Sequence, residues 1–151
     1  LKKFFKMLCV FTAIAIFGFA SLWYWSFTSI EETKAKAIPF IQQNMPLIMT
    51  WDAEQFSEIL TPEALAIFQS ERGKKISAYL STIGKLVRHD EPEFVQIKSS
   101  VNTSGNGIEL AIFRVPALFE NGSGLLTIML VEENGEYLFH HIQLNSDFFI
   151  K

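Results

Sequence analysis

The sequence predicts an α+β domain, helices first and an antiparallel sheet second, behind an apolar N-terminal helix. Three observations carry this. Apolar residues between Ile30 and Val87 recur mostly three or four apart, which is the period of a helix face. After His89 the period falls to two, the period of a strand. Turn signals then divide the rest of the chain into four strands, and successive strand–turn–strand units make an antiparallel meander. Helical runs followed by strand runs define the class.

The first element begins before Ile30. From Met7 to Ile30 the 24 residues carry no charge. As a helix they would span roughly 36 Å, enough for a hydrocarbon core of about 30 Å. Lys2, Lys3 and Lys6 precede the run, and Glu31 and Glu32 follow it. Basic flanks stay on the cytoplasmic side, so the expectation is a single-pass protein of the inner (cytoplasmic) membrane with its N-terminus inside. Trp23, Tyr24 and Trp25 suit the outer interface. The competing reading is a signal peptide cleaved near Ala20, which would secrete the remainder. Residues 1–30 are therefore expected to be a signal-anchor transmembrane helix, and residues 31–151 a periplasmic or other extracytoplasmic domain.

Charge and cysteine content narrow the function classes. The whole chain has a formal charge of −3. All 16 acidic residues lie in 31–151, against 10 of the 13 basic ones, so this part stands near −6 (10 minus 16). No basic patch with interleaved aromatics is present, which disfavours nucleic acid as a partner. Cys9, the one cysteine, falls in the anchor segment, so no internal disulfide supports the domain.

The next elements follow in order. Ile30 to about Met49 reads as a helix with Ala37, Phe40, Ile41, Ile48 and Met49 on a loose stripe, and Pro39 and Pro46 predict a kink or break in it. Asp52 can cap a short helix carrying Phe56, Ile59 and Leu60. Thr61-Pro62-Glu63 opens a new helix, with Thr as N-cap, Pro at the first helical position and Glu in the first turn. This third helix carries Leu65, Phe68, Ile76, Tyr79, Leu80, Ile83 and Val87. Arg72-Gly73 is expected to loosen it, and Gly84 to stop it. The strands are "EFVQIKSSV", "IELAIFRVPALF", "LLTIMLVE" and "YLFHHIQLNS". The turns between them are "NTSGNG" with its Asn106-Gly107, "ENGSG", and "ENGE" with Asn134-Gly135.

This order of motifs resembles the cone-shaped superfamily named for nuclear transport factor 2, also called cystatin-like. Trp51 follows the first helix, Thr61-Pro62-Glu63 opens a later one, and "IGKL" (Ile83 to Leu86) closes the helical half. "ALFENGSGLLTIML" is similar to the family's strand–turn–strand. "NGEYLFHHIQLNS" is similar to its last strand, with Phe139, Ile142, Leu144 and Ser146 at the recurring places. The resemblance covers nearly all of 31–151. It implies about three helices on a curved four-stranded sheet enclosing a cone. It also implies one of several roles: a membrane-tethered module binding a protein partner or a small apolar ligand, a periplasmic subunit of a secretion or envelope complex, or a small isomerase- or dehydratase-like enzyme. Candidate pocket or interaction residues are Trp51, Tyr79, Arg114, Phe139 and His141. No cofactor is implied.

Adjacent His140 and His141 invite a metal reading. In a regular strand, however, they point to opposite faces, so one ion cannot take both. The pairs Tyr137/Phe139 and Ile142/Leu144 both look like core, yet they fall out of phase by one residue. One extra residue between 139 and 142 would align them, and that is what a β-bulge provides. A bulge, a plain strand and a metal site are all open, and the bulge explains the most. His89 sits beside Asp90 and Glu91 and reads as solvated. Arg114 reads as a rim or edge residue as readily as a functional one. No nucleophile elbow, phosphate loop or metal-spaced cluster occurs, so no catalytic or metal residue is assigned.

The third strand lacks alternation. Leu126, Ile128 and Leu130 form one face, and Leu125, Met129 and Val131 the other. Helices cover only one face of a sheet, so the other is expected to form an apolar interaction surface, with Phe113, Leu125, Met129 and Val131 as its residues. A two-fold homodimer through the sheet is the corresponding expectation.

Overall fold

The computed structural model describes residues 2–150, with side chains except those of residues 2–11, 13 and 25–27. The chain divides into two compact units, Leu1–Lys36 and Ala37–Lys151.

The first unit is helical, part of α1 (Lys2–Ile48). Among its described side chains, Ile14, Ile16, Phe17, Phe19, Leu22, Trp23 and Tyr24 are all exposed. Ser21 Oγ donates to the Gly18 carbonyl at 3.0 Å. Lys34 pairs with Glu31 and Lys36 with Glu32, each at 2.8 Å. The expected anchor needs correction. Among the described residues no helix is long and apolar enough to cross a membrane, which overturns the single-pass localisation. The unbroken stretch of described side chains in the expected anchor runs over residues 14–24, shorter than the roughly 20 residues a spanning helix needs. The side chains of Lys2, Lys3, Lys6, Cys9 and Trp25, which entered that expectation, lie outside the described ones.

The second unit begins with the last turns of α1. Ala37, Ile41, Met45 and Ile48 are buried at intervals of four, four and three, the stripe that seats this part on the sheet. Pro39 and Pro46 do not break the helix. Both are exposed, as are Ala35 and Gln42, whose carbonyls lose the i+4 donor, so water can solvate them. Asp52 caps no helix: it receives the Glu54 N–H at 3.2 Å in a side-chain turn, and a single 3₁₀ turn follows at Ser57–Ile59.

α2 (Pro62–Gln69) starts where the sequence predicts, with Thr61 Oγ1 accepting from the Ala64 N–H. The break comes at Ser70, earlier than Arg72-Gly73. Ser70 ends α2 and caps α3 (Glu71–Leu80), its hydroxyl oxygen accepting the Gly73 N–H at 3.0 Å. Gly73 has a different role: a Cβ there would lie 1.9 Å from the Ile67 carbonyl oxygen, so glycine permits the close joint of the two helices. Gly84, at φ 90°, stops the helical half as expected.

The sheet has five strands, not four: β1 (Leu86–His89), β2 (Glu93–Val101), β3 (Gly107–Phe119), β4 (Gly122–Glu133) and β5 (Glu136–Asn145). The additional strand is β1, which takes Val87 out of the expected third helix. It pairs with the end of β3, while β2 pairs with its beginning. β3, β4 and β5 form the antiparallel meander. One face carries the core: Phe113, Val115, Leu126, Ile128, Leu130 and Phe139 against Ile41, Met45, Ile48 and Phe56.

Candidate functional site

The site is built at the edge of the sheet, where β5 meets the helices. Its first component is the histidine stretch. Met129 pairs with His141 while Leu130 pairs with Phe139, so His140 is the extra residue of a bulge. The bulge brings Tyr137, Phe139, Ile142 and Leu144 onto the core face together, resolving the phase conflict. It also docks the start of α2. The Thr61 N–H donates to the Phe139 carbonyl at 3.0 Å, and Thr61 Oγ1 lies 3.2 Å from His140 Nδ1. Thr61 is buried, and its oxygen already accepts from the Ala64 N–H. A hydroxyl oxygen has room for a second partner, and His140 Nδ1 takes that place, the direction of the bond following the imidazole tautomer. His141 keeps an exposed edge, yet the protein packed around its ring lowers its pKa, with the neighbouring His140 adding to the effect and a hydrogen bond with Gln143 opposing it.

The second component is Trp51. The end of α1 tightens, with the Thr50 and Trp51 N–H groups donating to the carbonyls of Leu47 and Ile48. Trp51 then takes φ 59°, the left-handed conformation that glycine commonly supplies after a helix. For a bulky residue this costs on the order of 1–3 kcal/mol. Its side chain is buried, and among the described residues its Nε1 is the buried side-chain polar atom that has no hydrogen-bond partner. Leaving a buried donor unpaired costs about 1–3 kcal/mol.

These components meet in a recess of about 160 Å³ lined by Trp51, Ala64, Ile67, Phe68, Gly73, Ile76, Ser77, Leu80, His140, His141 and Ile142. Phe68 is held edge-on against Phe56, ring centres 5.6 Å apart. Ile67 and Ile76 at its mouth are 63% and 46% exposed, unusually open for such side chains. The histidines are the only titratable groups in the lining. Trp51 and Phe68 also border a neighbouring hollow that carries Asp52, Glu54 and Lys74.

A larger concavity of about 700 Å³ lies elsewhere, lined among others by Arg88, Asp90, Pro116, Leu118, Leu125 and Asp147. Its charged residues are exposed, so water competes for each of them. The small recess is the stronger candidate because its lining is almost wholly apolar and is drawn from several elements at once.

The structure unites some predicted site residues and separates others. Trp51 and His141 line the recess. Phe139 is fully buried beside it, stacked on Phe40 with ring centres 5.0 Å apart. Tyr79 is exposed and turned to the C-terminal turn, where its hydroxyl donates to the Phe149 carbonyl. Arg114 is exposed on the opposite sheet face, in register with Glu93 and Thr127. Phe113 does not share a face with Leu125, Met129 and Val131. It pairs with Ile128 and is fully buried in the core, because odd-numbered β3 residues from 111 to 119 point inward. The outer face is apolar, but Leu110, Ile112 and Val131 are buried on it and Leu125 and Met129 half-buried. Ile112 lies between Gln96 and Met129, and Leu110 beside Lys98, whose long side chains flank them. Reasoning from sequence missed Phe68, Ile67, Ile76, Leu80 and His140. The signal available for four of them was the helical stripe of α2 and α3, which marks core and pocket wall alike.

The chain matches no protein-family model, no curated protein and no solved structure.

Proposed function

We propose that this chain is a non-catalytic binding module, and that its site is the recess between α2, α3 and the β5 bulge, taking a small, mainly apolar molecule. The observation that carries this is the lining: aliphatic and aromatic side chains on nearly every side, with partly exposed isoleucines at the mouth. No carboxylate stands in the lining, and one of its two histidines is tied to Thr61, which favours binding over acid–base chemistry. The resemblance to the superfamily of nuclear transport factor 2, whose members include small-molecule binders, supports the same reading. Size fits a single ring, since an apolar cavity of roughly 150 Å³ accepts benzene.

The test is titration of the full chain with toluene, followed by methyl NMR. Shifts confined to Ile67, Ile76, Leu80 and Ile142 are expected, and Ser77→Phe, which fills the recess, should abolish them. Folded protein that shows no such shifts at millimolar toluene would refute the proposal.

A further inference from the structure

We propose that Asn134 is a self-modification site, where the chain converts its own side-chain amide into aspartate and isoaspartate through a cyclic imide formed with Gly135. Three Asn-Gly steps occur in the chain, at Asn106, Asn121 and Asn134, and at each the glycine leaves the attacking nitrogen unshielded. The structure separates them. At Asn121 the side-chain Nδ2 donates to the Thr82 carbonyl at 3.2 Å and the N–H to the Ile83 carbonyl at 3.0 Å, while Gly122 is in register with Phe119. At Asn106 the N–H donates to Asn102 Oδ1 at 2.8 Å and the carbonyl accepts the Asn102 N–H at 2.9 Å, while Gly107 is in register with Val101. Cyclisation must turn the peptide plane between the two residues, and at both of these sites that plane is held from each end.

Asn134 and Gly135 are the exposed loop residues between Glu133 and Glu136, and among the described residues neither the Asn134 amide nor the Gly135 N–H has a hydrogen-bond partner. The pair that closes this loop sets two glutamates face to face, and like charges directly opposite weaken a ladder. The hairpin also reaches past β3, whose register with β4 ends at Leu130, so Val131 to Glu133 pair in the sheet only with β5. Such a tip opens without the rest of the sheet. The Gly135 nitrogen, its proton lost to solvent base, then attacks Asn134 Cγ. The N–Cγ bond forms, the Cγ–Nδ2 bond breaks, and Nδ2 leaves as ammonia with a proton from water. Water opens the imide at either carbonyl. One opening gives aspartate, and the other gives isoaspartate, which routes the backbone through the side chain. Both put a further negative charge beside Glu132, Glu133 and Glu136.

The experiment keeps the full chain in warm, mildly alkaline buffer and follows its Asn-Gly peptides by mass spectrometry, with isoaspartate read by an L-isoaspartyl methyltransferase. In urea the three sites should react at similar rates, because unfolding removes what distinguishes them. In the folded chain conversion at Asn134 should run about tenfold ahead of Asn121. Glu136→Lys, which sets opposite charges face to face, should slow Asn134 and leave Asn121 as it was. The wild-type comparison decides the matter even if the variant does not fold. Folded protein in which Asn106 or Asn121 leads would overturn the proposal. So would an Asn134 that stays an amide while the urea sample reacts, or one whose rate is unaltered in folded Glu136→Lys.

Discussion

The two faces of the sheet are both apolar, and they are closed by different means. On the inner face Phe113, Ile128, Leu130 and Phe139 are fully buried under helices, and the one buried, unpaired side-chain donor among the described residues lies on the same side. On the outer face Leu110, Ile112 and Val131 are buried beside long side chains from neighbouring strands, with Met129 half-open. The comparison teaches that an apolar pattern alone does not say which face meets another element. Helices build a thick core with room for a recess, whereas lateral cover within one sheet leaves only a thin layer.

Adjacent residues on β3 offer the sharpest way to break that comparison. Phe113→Ala is expected to destabilise by about 3–5 kcal/mol, because the ring is enclosed and packs edge-on to Phe94, centres 5.6 Å apart. Ile112→Ala should cost less, about 2 kcal/mol, since a thin layer can settle over the gap. Urea unfolding of both variants measures this, and equal losses would mean the outer face is packed as deeply as the inner. Gly73→Ala acts on the cover of the inner face. Its Cβ would meet the backbone of Ile67, so about 1–3 kcal/mol is expected, together with weaker toluene binding.

Met129→Glu probes the outer face. A half-buried site should tolerate it at about 1–2 kcal/mol. Light scattering on the same variant reads the second-copy proposal: a fall from twice the 17.2 kDa chain mass to once would mark this face as a dimer interface.

The smallest effect expected is at the bulge, where the faces meet. The pKa of His141 is lowered in the folded state, chiefly by burial. The unfolded chain therefore binds its proton first as pH falls. Stability is fully present above the ordinary histidine value of about 6.5 and declines as pH drops towards the lowered folded value. Urea midpoints at pH 7.5 and 5.5 should show this slope, and His141→Asn should flatten it.

Much of this fold was legible. Thr61-Pro62-Glu63 determined a helix start because the hydroxyl, the fixed φ and the acidic side chain each satisfy a local need of a helix terminus. Asn134 and Gly135 determined a hairpin through their positive φ angles. The out-of-phase pairs around His140 determined the bulge, since parity along a strand is a one-dimensional property. What failed depended on distant partners. The β2–β3 turn takes its positive φ at Gly105, and Gly107 already pairs in β3. Leu86 and Val87 continue a helical spacing, yet β3 offers their segment a strand partner. Phe113 was joined to the wrong face because register between strands is absent from either strand's own pattern. The recess was beyond reach for the same reason. Its walls come from Trp51, α2, α3 and β5, which only the packed chain brings together.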